Sequence, residues 1–344
     1  MTPAIFDGHV DLLSRLAAAG GAATLGQGGA IDPERARAGG WGGGFLALWV
    51  PSTGGDAAAA LAAQMTSAYD IPLAAPVGQG EAMAAVEAQM AVLDDLVAAG
   101  AVEMATDAEG LRAALDGPAM AGLLHLEGAE CIGPDLEELH ALHARGLRSL
   151  GPVWSRDNAF GHGVPFRFPS DPETGPGLTE AGIRLVRECG RLGMIVDLSH
   201  ITGAGFRDVA RHYDGPLVAT HSNAHAICPH ARNLTDDQLR MVAERGGAVG
   251  LNFAVSFLRP DGRKVPQTGV ELAIRHLDHL LGILGEEGVA IGTDYDGAVV
   301  PEALADVSTL GALREAMAAA GFGAELIGRI CSANWLRLIG RVVG

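Results

Sequence analysis

Lysine is almost missing from this chain: Lys264 is the only one in 344 residues. Lysine and arginine together number 24 against 41 aspartates and glutamates, a formal net charge of −17. A nucleic-acid partner needs a basic face, which this balance speaks against. Net charge otherwise reports on solubility and steering, not on fold. Cysteine is also sparse. Cys131, Cys189, Cys228 and Cys331 are scattered and form no CxxC, so neither a disulfide framework nor a thiolate zinc site is expected. No apolar run reaches the roughly 18 residues of a membrane span. The start runs from Met1-Thr2-Pro3-Ala4 straight into Ile5-Phe6-Asp7-Gly8-His9, with no basic segment or apolar leader. The C-terminus lacks the spacer and tail of a lipid-anchor signal. The expectation is a soluble, cytoplasmic protein without membrane insertion; a periplasmic protein shorn of its leader is the alternative.

What is present is core-forming material. Hydrophobic residues make up 48% and charged residues 19%, a balance that speaks against disorder. Short apolar runs read as strands at Ala4–His9, Gly44–Val50, Ala121–Glu127, Arg148–Trp154, Met194–His200, Pro216–His221, Ala248–Phe253 and Val289–Asp294. Helical patterns lie between them. Glu81–Ala99 carries Met83, Val86, Met90 and Leu93 at helical spacing, and Thr179–Leu192 opens on Thr179 as N-cap and closes at Gly193. Alternating strands and helices imply a parallel sheet. About eight such units predict a (β/α)₈ barrel of the TIM type, in the α/β class. The Gly/Pro-rich stretches are short and there is no internal repeat. One domain over residues 1–344 is expected, with a long loop after the fourth strand, about 157–177, on the active face.

Ligand-type residues gather at the strand ends. His9 and Asp11 close the first strand, Glu127 the third, His200 the fifth, His221 the sixth and Asp294 the eighth. Residues two apart on a strand face the same side, so His9 and Asp11 can both look into the mouth, where barrel enzymes build their chemistry. Imidazoles and carboxylates together suit zinc or a similar divalent ion. Six candidates exceed the needs of one catalytic zinc, and two metals sharing a carboxylate fit the count better. A carbamylated-lysine bridge is ruled out, because Lys264 lies on no predicted strand end. Glu127 is the best-placed carboxylate to bridge.

The other polar residues have plainer readings. His125 sits one layer below Glu127 and suits packing or ligand support. His140, His143, His276 and His279 lie on predicted helices and read as solvated. His162, His225 and His230 fall in loops near the mouth. Asp197 and Ser199 flank His200 but face away from it, which suits helix–sheet packing as well as ligand orientation.

The segments Gly177-Leu178-Thr179 through Ser199-His200, Thr220-His221-Ser222-Asn223-Ala224, Ala231-Arg232-Asn233-Leu234-Thr235-Asp236-Asp237, Asp7-Gly8-His9-Val10-Asp11, Glu127-Gly128 and Gly292-Thr293-Asp294-Tyr295-Asp296-Gly297 resemble the signatures of the membrane (renal-type) dipeptidases, peptidase family M19. The resemblance spans nearly the whole chain in the same motif order and looks bacterial. It implies a zinc-dependent dipeptidase with two Zn²⁺ per chain. His9 and Asp11 would hold one ion, His200 and His221 the other, and Glu127 would bridge. It implies that Asp294 handles the proton of the metal-bridging water, and that Arg232 grips the substrate's terminal carboxylate, which a guanidinium can meet with two hydrogen bonds.

One position departs from the pattern. Trp154 stands where the family often has an oxyanion-stabilising histidine, leaving His162 and Arg156 as candidate donors. The expected partner is a small dipeptide, with a D-residue at its C-terminal position as an option in the family; relatives are often homodimers. Two rivals remain: another metal-dependent amidohydrolase acting on N-acyl amino acids or cyclic amides, and a catalytically silent metal- or peptide-binding protein.

Overall fold

Ile5, Phe6 and Val10 are fully buried on the first strand, and so are Phe45, Ala47 and Leu48 on the second. Runs buried on both faces are what a parallel sheet covered by helices demands. A computed structural model describes residues 4–52, 54 and 56–344. Met1–Pro3, on which the reading of the chain's start falls, lie outside the described residues, as do Thr53 and Gly55. The strands are β1 (Ile5–Val10), β2 (Trp41–Trp49), β3 (Tyr69–Ile71), β4 (Val102–Ala105), β5 (Met120–Glu127), β6 (Leu147–Gly151), β7 (Phe166–Phe168), β8 (Ile195–Val196), β9 (Val218–Ala219), β10 (Ala248–Leu251) and β11 (Val289–Ile291).

β1, β2, β5, β6 and β8 pair in that order, and β9, β10 and β11 form a second run; every one of these pairings is parallel. Parallel bridges Asp197–Val218 and Val10–Tyr295 join the two runs at both seams. Leu198 N–H donates to Val218 O at 2.8 Å, and Asp11 N–H to Tyr295 O at 2.9 Å. The result is a (β/α)₈ barrel. β4 shares an edge of β5 with β6: it pairs with Met120–Leu123, and β6 with Leu124–Glu127. β3 and β7 form a small antiparallel ribbon outside the ring.

The helices form where capping and an apolar stripe coincide. Thr179 Oγ1 accepts from Gly182 N–H at 3.1 Å and starts Glu180–Arg191, which buries Leu185, Val186 and Cys189. Each such side chain contributes roughly 1.5–3 kcal/mol by leaving water. Gly193, at φ +67°, ends the segment. Gln79–Ala98 likewise buries Val86, Met90 and Leu93. No described helix is long and apolar enough to cross a membrane.

The strands stop earlier than the sequence suggests. β8, β9 and β11 end at Val196, Ala219 and Ile291, so His200, His221 and Asp294 stand in the turns beyond them. The apolar pattern runs through these residues, but the ladder breaks where side chains must leave the sheet to converge. The barrel is also narrow at this level. A Cβ on Gly8, Gly250 or Gly292 would lie 2.4, 2.0 or 1.9 Å from Thr220 O, so only hydrogens fit there.

Candidate metal centre

Glu127, the last residue of β5, places Oε1 3.0 Å from His200 Nε2, 3.4 Å from His221 Nε2 and 3.7 Å from His9 Nε2. Asp11 Oδ2 is 3.4 Å from His9 Nε2. Two sets, His9–Glu127–His221 and His9–Asp11–Asp294, each bring their ligand atoms within 4.8 Å of one another. Glu127 thus sits between the two pairs that the resemblance assigns to separate ions. The backbone is shaped for this. Asp294 adopts φ +63° and Asp296 φ +67°, a region that aspartate enters more readily than most residues. A Cβ on Gly297 would lie 2.1 Å from Asp11 Oδ2, so a side chain there would occupy the site.

The donor set suits a cation. Neither ring nitrogen of His9 has a hydrogen-bond partner among the described residues, although both are buried. His200 Nε2 and His221 Nε2 face each other at 3.1 Å. The tautomer of His221 follows from its neighbours. Thr220 spends its hydroxyl proton on Asp197 Oδ2 at 2.7 Å, so at 2.9 Å from His221 Nδ1 the same oxygen acts as acceptor. His221 therefore carries its proton on Nδ1 and presents a bare Nε2. His200 Nδ1 is likewise engaged, by Ser155 Oγ at 2.8 Å. Fixing the outer nitrogen so that the inner one can ligate is the usual support for a metal-bound imidazole.

Electrostatics agrees. Burial pulls the His9 pKa down, but Glu127, Asp11 and Asp294 outweigh it and push it up to about 10. The cage thus demands positive charge. Burial, with Arg232 contributing in both cases, holds His200 and His221 well below the ordinary imidazole range. Burial raises Glu127, against the pull of His9. Asp294 is raised to about 6, chiefly by burial, and its Oδ2 accepts from Asn252 Nδ2 at 3.0 Å.

The remaining candidates separate. Arg232 is 2% exposed, with its guanidinium against the centre: Nη2 donates to His200 Nε2 at 3.2 Å and to His221 O at 3.3 Å, and Nη1 donates to Ser222 Oγ at 3.3 Å. Arg156 is buried elsewhere. Its Nε donates to Glu130 Oε1 at 3.0 Å, its Nη2 to Val50 O at 2.8 Å and its Nη1 to Ser52 Oγ at 3.4 Å. His162 lies partly exposed, with Nδ1 3.2 Å from Asp157 Oδ2. A cleft of about 1030 Å³ opens over Asp11, Glu127, His200 and Asp294; neither His162 nor Arg156 lines it, whereas Trp154 does. Trp154 packs its ring 5.7 Å from that of His200.

Other histidines are structural. His125 Nδ1 bonds with Ser149 Oγ at 2.9 Å. His276, expected to be solvated, is fully buried: its helix packs inward at that position, and both ring nitrogens bond to backbone. His140 keeps an exposed pairing with Glu188 at 3.2 Å, and His279 is partly exposed and pairs with Asp236 at 2.8 Å. His225 Nε2 bonds with Ser170 O, and His230 is buried against Phe257. Sequence reasoning missed Ser155, Thr220 and Asn252. Thr220 and Asn252 each follow a strand end by one residue, and that position is the signal that could have found them.

Residues 2–343 match the family model for membrane dipeptidases (peptidase family M19). The chain is 47% identical to a metallo peptidase from Rhodobacter sphaeroides solved with a phosphinate mimic of the dipeptide L-Ala-D-Ala, with a TM-score of 0.96 over 99% of this chain and 100% of that one. It is 42% identical over 254 residues to an uncharacterized protein in the pqqA 5' region of Klebsiella pneumoniae, 73% of this chain and 94% of that protein. The probable dipeptidase PvdM from Pseudomonas aeruginosa shares the fold, with 20% identity and a TM-score of 0.80 over 99% of this chain and 95% of that one.

Proposed function

This chain belongs to the membrane dipeptidase family, peptidase family M19, and from that premise we propose that it hydrolyses the peptide bond of small dipeptides bearing a free carboxylate. The observation that carries this reading is the convergence of His9, Asp11, His200, His221 and Asp294 around Glu127 at the floor of one cleft. In the proposed centre His9 and Asp11 would hold one zinc ion, His200 and His221 would hold a second, and Glu127 would be shared between them. A bound pair of such ions supplies Lewis-acid polarisation of the scissile carbonyl and an acidified water.

The chain's own groups do the rest. Asp294, steadied by Asn252, accepts the proton of the attacking water and delivers it to the leaving amine. Its pKa, raised towards neutrality by burial, suits a group that must both take and give a proton. Arg232 supplies guanidinium donors for the terminal carboxylate; its Nε has no hydrogen-bond partner among the described residues. Trp154 forms an apolar wall beside His200.

Metal analysis of the purified protein, with a panel of L,L- and L,D-dipeptides, N-acetyl amino acids and C-terminal amides, tests this. The expected result is about two zinc per chain, as for a binuclear centre, and turnover only of dipeptides with a free carboxylate. Turnover of acetylated or amidated compounds instead would move the protein to another hydrolase class. Absence of both stoichiometric metal and turnover after zinc reconstitution would sink the reading.

A further inference from the structure

The chain's one lysine stands in the cleft. Lys264 lines it together with Glu127, His200 and Asp294, and is the only lysine or arginine among the described lining residues. Its neighbours Arg259 and Arg263 both spend their charge on Asp261. Lys264 does not. Its Nζ donates to Gln64 Oε1 at 3.2 Å, and no described carboxylate oxygen lies within 4.0 Å of it. An ammonium has three donors and no acceptor, so most of its hydrogen-bonding capacity is unused by the described residues.

The cleft's carboxylates are already committed. Asp296 is bound by Arg15 at 2.8 Å and Asp70 by Arg167 at 2.8 Å. Asp56 caps the helix Ala57–Gln64. Asp11, Glu127 and Asp294 belong to the metal centre proposed above. The lysine is also held in place. Its backbone N–H donates to Gln64 O at 2.7 Å, Tyr69 Oη–H donates to Gly262 O at 2.7 Å, and Arg259 and Arg263 brace the loop through Asp261. A half-buried, unpaired cation on a fixed loop is costly unless an anion meets it. A carboxylate on a bound substrate can supply that anion.

Resting on the dipeptidase reading, we propose that Lys264 is a specificity subsite that receives a carboxylate on the substrate's side chain, so that the enzyme favours dipeptides containing an acidic residue. The substrate's terminal carboxylate is assigned to Arg232, which leaves the side chain as the source for Lys264. An ammonium is a compact point charge that reads a carboxylate without demanding a fixed orientation.

The test compares kcat/KM for Asp-Ala with Asn-Ala and for Ala-Asp with Ala-Asn, taking each aspartate and asparagine in both L and D forms at the C-terminal position, with Ala-Ala as reference. At one of the two positions the wild-type enzyme prefers the acidic member by roughly tenfold to a hundredfold, the worth of a charge-assisted hydrogen bond. In Lys264→Met that ratio collapses towards one, and the acidic substrate loses at least tenfold more than Ala-Ala does. Lys264→Arg restores part of the ratio, which separates loss of charge from loss of fold. An equal fall on Ala-Ala and on the acidic dipeptides would assign Lys264 to the terminal carboxylate and overturn the proposal. So would equal wild-type rates on the aspartyl and asparaginyl substrates at both positions. No turnover of any dipeptide would be a different result, sinking the dipeptidase reading and this inference with it.

Discussion

Thr220 grips Asp197 twice: its backbone N–H donates to Oδ1 at 2.8 Å and its hydroxyl to Oδ2 at 2.7 Å. The clamp ties the turn after β8, which carries His200, to the turn after β9, which carries His221. The other seam of the barrel uses the same device. Thr293 N–H donates to Asp7 Oδ1 at 2.8 Å and Thr293 Oγ1–H to Asp7 Oδ2 at 2.6 Å, joining the strand of His9 to the turn of Asp294. The segments of His200 and His221, and those of His9 and Asp294, are therefore each joined by a buried aspartate.

Thr220→Val follows directly. The backbone half of the clamp survives, but His221 Nδ1–H loses its acceptor and Asp197 Oδ2 loses a donor. Metal affinity should fall about 10–100-fold, the usual cost of removing a ligand-orienting partner, and Thr220→Ser should keep most of it. Chelator competition on the metal-loaded protein measures this. Equal zinc retention by the valine variant and the wild type would show that Thr220 does not orient His221.

Asp294→Asn keeps the size of the side chain and removes its ability to take a proton. The five proposed ligands remain, so metal content should stay near the wild-type value while kcat falls by at least about 10²-fold, the lower end for general acid–base catalysis. Paired metal analysis and steady-state kinetics check it. Near-normal turnover with full metal would remove Asp294 from proton transfer.

Much of this was legible because the ligand residues come in chain order at the ends of apolar runs. His9, Glu127, His200 and His221 sit where the strands meet the mouth, and a single sequence carries that pattern. What was not legible depends on which way a side chain turns once the strand has ended. Asp197, read from alternation as facing away from His200, reaches Thr220 and so supports His221 on the next turn. His276 follows a helical pattern that leaves its burial undecided until the helix is packed against the 224 and 258 segments. Arg156 and Trp154 stand two residues apart in a loop, and only the tertiary structure sends one into an ion pair and the other to the cleft wall.

The ion pair of Arg156 and Glu130 is buried on both sides. Arg156→Met leaves Glu130 charged and unmatched, which should cost about 3–5 kcal/mol of stability. Because all of its terminal nitrogens point to Glu130, Val50 and Ser52, kcat per metal-loaded molecule should change little. Urea unfolding and kinetics at a temperature where the variant stays folded separate the two effects. A collapse of kcat with KM, fold and metal content intact would instead make Arg156 a transition-state donor.

The pH dependence of stability has an identifiable source in His276. Its Nδ1 accepts from Ala224 N–H at 3.1 Å, and its Nε2–H donates to Leu258 O at 3.0 Å. Protonating Nδ1 would set one N–H against another, three residues beyond His221. Burial holds the pKa down at about 4, against the ordinary 6.5. The unfolded chain therefore binds this proton more readily than the native one, and stability rises with pH between the two values. The contribution is fully present above about pH 6.5 and drains away as the pH falls towards 4, a loss on the order of 3 kcal/mol. His276→Gln offers an acceptor and a donor but no titration, so its unfolding free energy should be flatter across that window, whatever its absolute stability at pH 8. Urea titrations of both proteins at several pH values supply the two slopes. Parallel slopes would mean that another buried histidine, not His276, sets the acid limb.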